Sequence, residues 1–178
     1  IPKDSMPERY GRDLATNLAC NSGNDQCLKD TFQLIKQYAN DDIRIPNGLE
    51  SMYCHGFRGT GKQDEFVKVW RKMQITPDTT FKTTLINGLG CTDDKDALTD
   101  YLESTLGSGA SQVNYTQTER RAVFTAVLKS YSSLPVVVEF LNKFEKNLRT
   151  KYVVLFQKIR KVPMVLNSFQ FHDPHLLH

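Results

Sequence analysis

Apolar residues recur at helical spacing along almost the whole of this chain, and no other property restricts its fold as strongly. Leu28, Phe32 and Ile35, with Leu34 and Tyr38 beside them, form one stripe at i, i+4 and i+7. Phe66, Val69, Trp70 and Met73 form another, after the charged opening Lys62-Gln63-Asp64-Glu65. Thr92-Asp93-Asp94-Lys95 reads as a helix start with acidic residues in the first turn, where the helix dipole favours them. Leu98, Leu102 and Leu106 follow on one face, with Gly107 as the stop. Thr116, with Glu119 three residues on, has the form of a capping box. Val123, Phe124, Val127, Leu128 and Tyr131 line the helix it opens. A last helix is expected from Val136 to about Arg160, with Phe140, Leu141, Phe144, Leu148, Tyr152 and Leu155 in register. No stretch alternates with period two for long enough to make a strand, so the chain is expected to be all-α.

Turn-forming residues cluster near 21–25, 40–48, 59–62, 75–78, 88–92, 107–114 and 132–135. They divide the chain into about eight helices of 10–25 residues with short connections. Antiparallel helix pairs with a period near 40 residues have the form of a HEAT- or armadillo-like superhelix. A closed bundle is the alternative. Residues 1–160 are expected to form one helical domain and residues 161–178 a frayed tail. The domain is expected to be incomplete at its C-terminal end, because no polar cap closes the stack.

Composition narrows the function. The 178 residues, 39% hydrophobic and 24% charged, are those of a water-soluble domain with a real core. A net charge of +3, spread over the whole chain, gives little support to a nucleic-acid partner. No apolar run approaches the roughly 20 residues of a membrane span. The opening Ile1–Gly11 has no apolar signal-peptide core, so the chain reads as cytosolic or as a mature piece of something longer.

Cysteines stand at 20, 27, 54 and 91, and no two form the close C-x2-C pair by which zinc sites converge on one ion. Buried free thiols or two disulfides remain. Of the three pairings, only 20–27 with 54–91 lets both bridges close locally, Cys20 and Cys27 flanking the turn-forming Asn21–Gln26. Asn114-Tyr115-Thr116 is a glycosylation sequon, which has meaning only in a secreted chain and mildly favours secretion.

Motifs with chemistry in them resolve into blander readings. Gly56–Lys62 nearly spells a phosphate-binding loop, but Leu49–His55 reads as helix rather than strand, and Gln63 stands where magnesium needs a hydroxyl. A glycine-rich helix–helix turn is expected, with no nucleotide. His172, His175 and His178 could chelate a metal only loosely at the chain end. Cys54 beside His55 suggests a dyad, yet adjacent residues on a helix point about 100° apart. Asp41-Asp42 and Asp93-Asp94 lack calcium-loop spacing and read as turn or helix-start residues. No HExxH or nucleophile–base arrangement is present. The chain is expected to bind no cofactor and to catalyse nothing unaided.

The cysteine frame carries a resemblance. Ala19-Cys20 with Cys27, the segment Ile43–Gly56 with Tyr53-Cys54, the segment Ile86–Leu106 with Leu89-Gly90-Cys91, and Val136–Leu148 together resemble the helical C-terminal domain of the aminopeptidase N family. The likeness runs from about residue 8 to 152, and insect gut members look most similar. It implies a curved stack of helix pairs with disulfides Cys20–Cys27 and Cys54–Cys91. It also implies a parent that is an extracellular zinc metallopeptidase removing N-terminal residues from peptides. The HExxH zinc site of such enzymes lies in an upstream domain, so this domain would wall the active-site chamber against it. In several members the domain mediates dimerisation. In insect midgut members the ectodomain is usually lipid-anchored and can be a receptor for bacterial pore-forming crystal toxins.

The chain departs from the family pattern where further helix pairs would follow Tyr152 and here a His-rich end does. Vertebrate members carry an Asn-Trp pair near Phe144-Glu145, so no substrate contact is carried over. No C-terminal anchor signal is present. An intracellular helical-repeat adaptor, with reduced cysteines and Asn114 unused, is the rival reading. If recognition resides on a loop, 107–118 with its sequon is the expected place.

Overall fold

The computed structural model describes residues 6–59, 61–106, 113–129 and 133–151. Eight helices fill them: α1 (Met6–Asn21), α2 (Asp25–Asp41), α3 (Ser51–Phe57), α4 (Gln63–Ile75), α5 (Thr79–Leu89), α6 (Lys95–Ser104), α7 (Gln117–Leu128) and α8 (Leu134–Lys151). No strand occurs among the described residues. The expected final helix is described only to Lys151, and residues 161–178, with the three C-terminal histidines, lie outside the described residues.

Local chemistry sets the helix starts. Asn24, Asp78 and Asp94 each stand at an N-cap, the side chain accepting from the backbone N–H three residues on. The capping box at Thr116 is complete: its hydroxyl accepts from Glu119 N–H at 3.2 Å, and the Glu119 carboxylate accepts from Thr116 N–H at 2.7 Å. Lys82 adds an ion pair to Glu119 at 2.6 Å, tying α5 to the start of α7. Burial opposes the charge on Glu119, but the bonds from Lys82 and Thr116 outweigh it and hold its carboxyl below the usual range. Asp42 ends α2 in the left-handed region at φ 60°, a conformation aspartate tolerates, and its N–H reaches Gln37 O.

The helices form two layers. α1, α3, α5 and α7 pack side by side in one, while α2 lies on α4 and α6 on α8 in the other. α2 against α3, α4 against α5 and α6 against α7 join them, which is the superhelical stacking of helix pairs. Successive pairs begin at residues 6, 51, 79 and 117. The repeat length therefore changes from pair to pair, and no unit aligns with the next in sequence.

Two details differ from expectation. α3 has 7 residues rather than 10 or more, because the Pro46–Leu49 turn precedes it and Gly59, at φ 86°, turns the chain after it. A helix that short does not stand alone. It is held by burial of Tyr53, His55, Gly56 and Phe57. α6 ends at Ser104, ahead of Gly107, as Thr105 and Leu106 tighten into i→i+3 bonds to Leu102 and Glu103.

Between the layers Phe57, Phe66, Trp70 and Tyr101 meet edge to face or tilted at centroid distances of 5.5–5.9 Å. Trp70 Nε1 donates to Tyr115 Oη at 2.8 Å, so the indole is buried without losing its partner. Burial, opposed by the bond from Trp70, pushes the Tyr115 phenol up to about 12. Each such ring contributes about 1.5–3 kcal/mol by leaving water.

Two glycines set how closely α5 approaches its neighbours. A Cβ on Gly88 would come within 2.7 Å of Tyr53 Cβ in α3. One on Gly90 would come within 2.6 Å of Ala126 Cβ and 2.8 Å of the Ala126 carbonyl carbon in α7. Backbone cannot yield as a flexible side chain can. Gly90→Ala is expected to destabilise the fold by about 1–3 kcal/mol through overpacking. Urea denaturation would measure it, and an unchanged midpoint would mean that α7 moves aside without cost.

Two disulfides staple the stack. Cys20–Cys27 (S–S 2.03 Å) closes the α1–α2 hairpin across 7 residues, and Cys54–Cys91 (2.09 Å) links α3 to the turn after α5 across 37. The chain-entropy model assigns about 2 kcal/mol to the shorter loop and about 4 kcal/mol to the longer. The double variant Cys54→Ala, Cys91→Ala should therefore lower the melting temperature more than Cys20→Ala, Cys27→Ala. The reverse order in a thermal melt would count against loop entropy as the source of stability.

Candidate functional site: a polar groove across the odd-numbered helices

On the face shared by α1, α3, α5 and α7 lies a groove of about 440 Å³. Asn17 and Asn21 line it from α1, Ser51 and His55 from α3, Thr84 and Asn87 from α5, with Arg58 and Lys129 at the helix ends. The Cys54–Cys91 disulfide lines it too, so the bridge expected from the cysteine frame is part of its wall.

A hydrogen-bond chain links α1 to α3. Ser51 Oγ donates to Asp13 Oδ1 at 2.5 Å, and Asn17 Nδ2 donates to Asp13 Oδ2 at 3.0 Å. His55 Nε2 stands 2.8 Å from Asn17 Oδ1. An amide oxygen only accepts, so Nε2 carries the proton. Nδ1 is buried without a partner, which suits the neutral ring. Arg58 Nη1 donates to Asn21 Oδ1 at 2.8 Å, a further tie between the same helices.

Burial, and then the Arg58 charge, hold the His55 pKa below its ordinary 6.5, with Asp13 opposing. Because the folded state favours the neutral ring, His55 contributes stability that is whole above about pH 6.5 and drains away as pH falls through its lowered folded value. Stability should drop between pH 7 and 5, and His55→Gln should flatten that drop. Equal pH profiles in denaturant melts of the two proteins would remove His55 from the account.

The arrangement braces α1 against α3. His55 is turned to Asn17 and the Ser51 hydroxyl to the Asp13 carboxylate, so the histidine does not address the serine hydroxyl. Cys54, beside His55 in sequence, is committed to its disulfide. No cluster of three His, Cys, Asp or Glu fit to hold a metal ion occurs among the described residues. The near-phosphate loop is satisfied internally. Gly59 N–H donates to Asp93 Oδ2 at 2.7 Å, while Lys62 Nζ donates to Gly56 O at 3.1 Å and to Arg58 O.

The sequon sits at the start of α7. Asn114 is exposed between buried Val113 and Tyr115, and residues 107–112 of the expected recognition loop lie outside the described residues. Sequence reading missed the groove. Its bonded pairs are 38 positions apart and lie on α1 and α3, where no apolar stripe was read.

Fold and site together define a disulfide-stapled, two-layer helical-repeat domain with a polar groove. The family model for the ERAP1-like C-terminal domain matches residues 1–172. The chain belongs to this family, and the resemblance to the C-terminal domain of aminopeptidase N is borne out. Aminopeptidase N of Plutella xylostella is 28% identical over 123 residues, covering 68% of this chain and 13% of the relative. The thyrotropin-releasing hormone-degrading ectoenzymes of Rattus norvegicus and Mus musculus are each 31% identical over 93 residues, covering 51% of this chain and 9% of theirs. The chain thus spans a small part of the relatives it matches.

Proposed function

We propose that this chain is the non-catalytic C-terminal domain of an extracellular zinc aminopeptidase that removes N-terminal residues from peptides, its grooved face walling the chamber of an upstream catalytic domain. The observation that carries this reading is the family match over residues 1–172. On this reading zinc is held by the upstream domain; the described residues here include no group of three His, Cys, Asp or Glu placed to hold it. Two disulfides favour an oxidising compartment over the reduced cysteines of an intracellular adaptor. One relative is named an ectoenzyme, and another comes from an insect. The parent is then a glycoprotein held at the outer face of the plasma membrane by a lipid anchor, with Asn114 exposed to carry a glycan. A midgut member would also offer this domain for homodimer contact and for bacterial crystal toxins.

The isolated chain should release no amino acid from aminoacyl substrates, with or without added zinc. In the parent enzyme, Arg58→Glu with Lys129→Glu should change kcat/KM for longer peptides several-fold and leave a small aminoacyl substrate unaffected. Zinc-dependent turnover by the isolated chain would overturn its non-catalytic role. Unchanged peptide kinetics in the double variant would mean that the groove faces away from the chamber.

A further inference from the structure

The two disulfides differ in what a thiol could reach. Exchange begins when a thiolate attacks one sulfur and displaces the other, so access to a sulfur decides which bridge reacts. Cys54 and Cys91 are both half-buried, and both line the groove of about 440 Å³ across α1, α3, α5 and α7. That volume lies within the range of small-molecule sites. Cys20, in contrast, is only 2% exposed. Its partner Cys27 stands in the first turn of α2, where the helix dipole would favour it as a leaving thiolate, but leaving requires attack on the buried Cys20.

Charge then specifies the kind of thiol. Arg58 follows Cys54 by one turn at the end of α3. Lys129 follows Ala126 by three residues at the end of α7, and Ala126 lies against Gly90, the residue before Cys91. One cation thus stands near each end of the bridge, and both line the groove. The carboxylate in the lining, Glu50, lies a turn before Cys54 and accepts from Gly48 N–H at 2.9 Å. Beside the other bridge the balance is reversed, with Asp25 and Asp30 on either side of Cys27 and Lys29 between them. A cationic site draws an anionic thiol and stabilises the thiolate that exchange releases.

We propose that the groove is a docking and modification site for an anionic low-molecular-mass thiol, which opens Cys54–Cys91 by exchange and leaves Cys20–Cys27 closed. The incoming thiolate bonds to one of the two groove sulfurs, the S–S bond breaks, and the other sulfur leaves as a thiolate beside Arg58 or Lys129. A second thiolate attacks the mixed disulfide. Two thiols are thereby oxidised to one disulfide, and the bridge is reduced to two cysteines. In the mixed disulfide the thiol's body occupies the groove. Once the bridge is open, α3 has lost its covalent tie to the turn after α5. Ser51, His55 and Arg58 of that short segment make the bonds to α1, so the opening loosens α1 as well. None of this depends on whether the groove faces an upstream catalytic domain.

The test treats the oxidised 178-residue chain with reduced glutathione, a net anion, or with β-mercaptoethanol, which is neutral until it ionises at sulfur. Samples are quenched with iodoacetamide and mapped by peptide mass. With glutathione, adduct and alkylation should appear at Cys54 and Cys91 roughly tenfold faster than at Cys20 and Cys27. Lys129→Gln, at an exposed position, should slow the glutathione reaction roughly threefold and leave the β-mercaptoethanol reaction unchanged. If Cys20–Cys27 opens first, or both bridges open together as they would through global unfolding, the proposal fails. It fails equally if Lys129→Gln reacts with glutathione at the unaltered rate. Slowing by the same factor with both thiols would also overturn it, because Lys129 would then support the fold and not the docking of an anion.

Discussion

The backbone-to-backbone approach of α5 to α3 and α7, permitted by Gly88 and Gly90, is the contact on which the rest of the molecule depends. α5 sits in the middle of its layer, and glycine lets its neighbours come closer than any side chain would allow. Tyr53 gives the α3 side of this contact, and its hydroxyl accepts from Ile45 N–H at 3.1 Å, fixing the chain that enters α3. Burial pushes that phenol up to about 12, so it stays neutral across ordinary pH. The Cys54–Cys91 bridge spans the same α3–α5 contact, so covalent and packing constraints act on one place.

The groove is a consequence of that spacing. Where α1, α3, α5 and α7 lie close, amides, two hydroxyls, charged side chains and a disulfide line the cavity together with apolar surface. The bonds from Asp13 and Asn17 to Ser51 and His55 hold α1 against α3 through polar groups that are mostly satisfied. The exception is His55 Nδ1, a buried nitrogen without a partner on a ring whose burial favours the neutral form.

Much of the fold was legible because helices declare themselves locally. The stripes of α2, α4, α6 and α7, the capping box at Thr116 and the turn between Cys20 and Cys27 all follow from interactions within a few residues. Asp42 and Asp94 could likewise be read as turn and cap residues, since a short carboxylate satisfies nearby backbone N–H groups or tolerates the left-handed region. The extent of α3 was not legible. Seven residues carry too little periodicity, and only burial by α2 and α5 makes them a helix.

By itself the sequence determined the helical class, the helix boundaries set by caps and turns, and, through four cysteines in a recognisable frame, the family. Those are local or pattern properties, and the energies behind them act along the chain. Only the tertiary structure decided that Gly88 and Gly90, beside the expected turn, also mark close helix crossings, that Lys62 caps α3 instead of waiting for a phosphate, and that Asp13, Asn17, Ser51 and His55 form one network. These depend on which helices become neighbours. That choice is made by packing the whole layer at once, because residues 38 positions apart leave no periodic trace of having met.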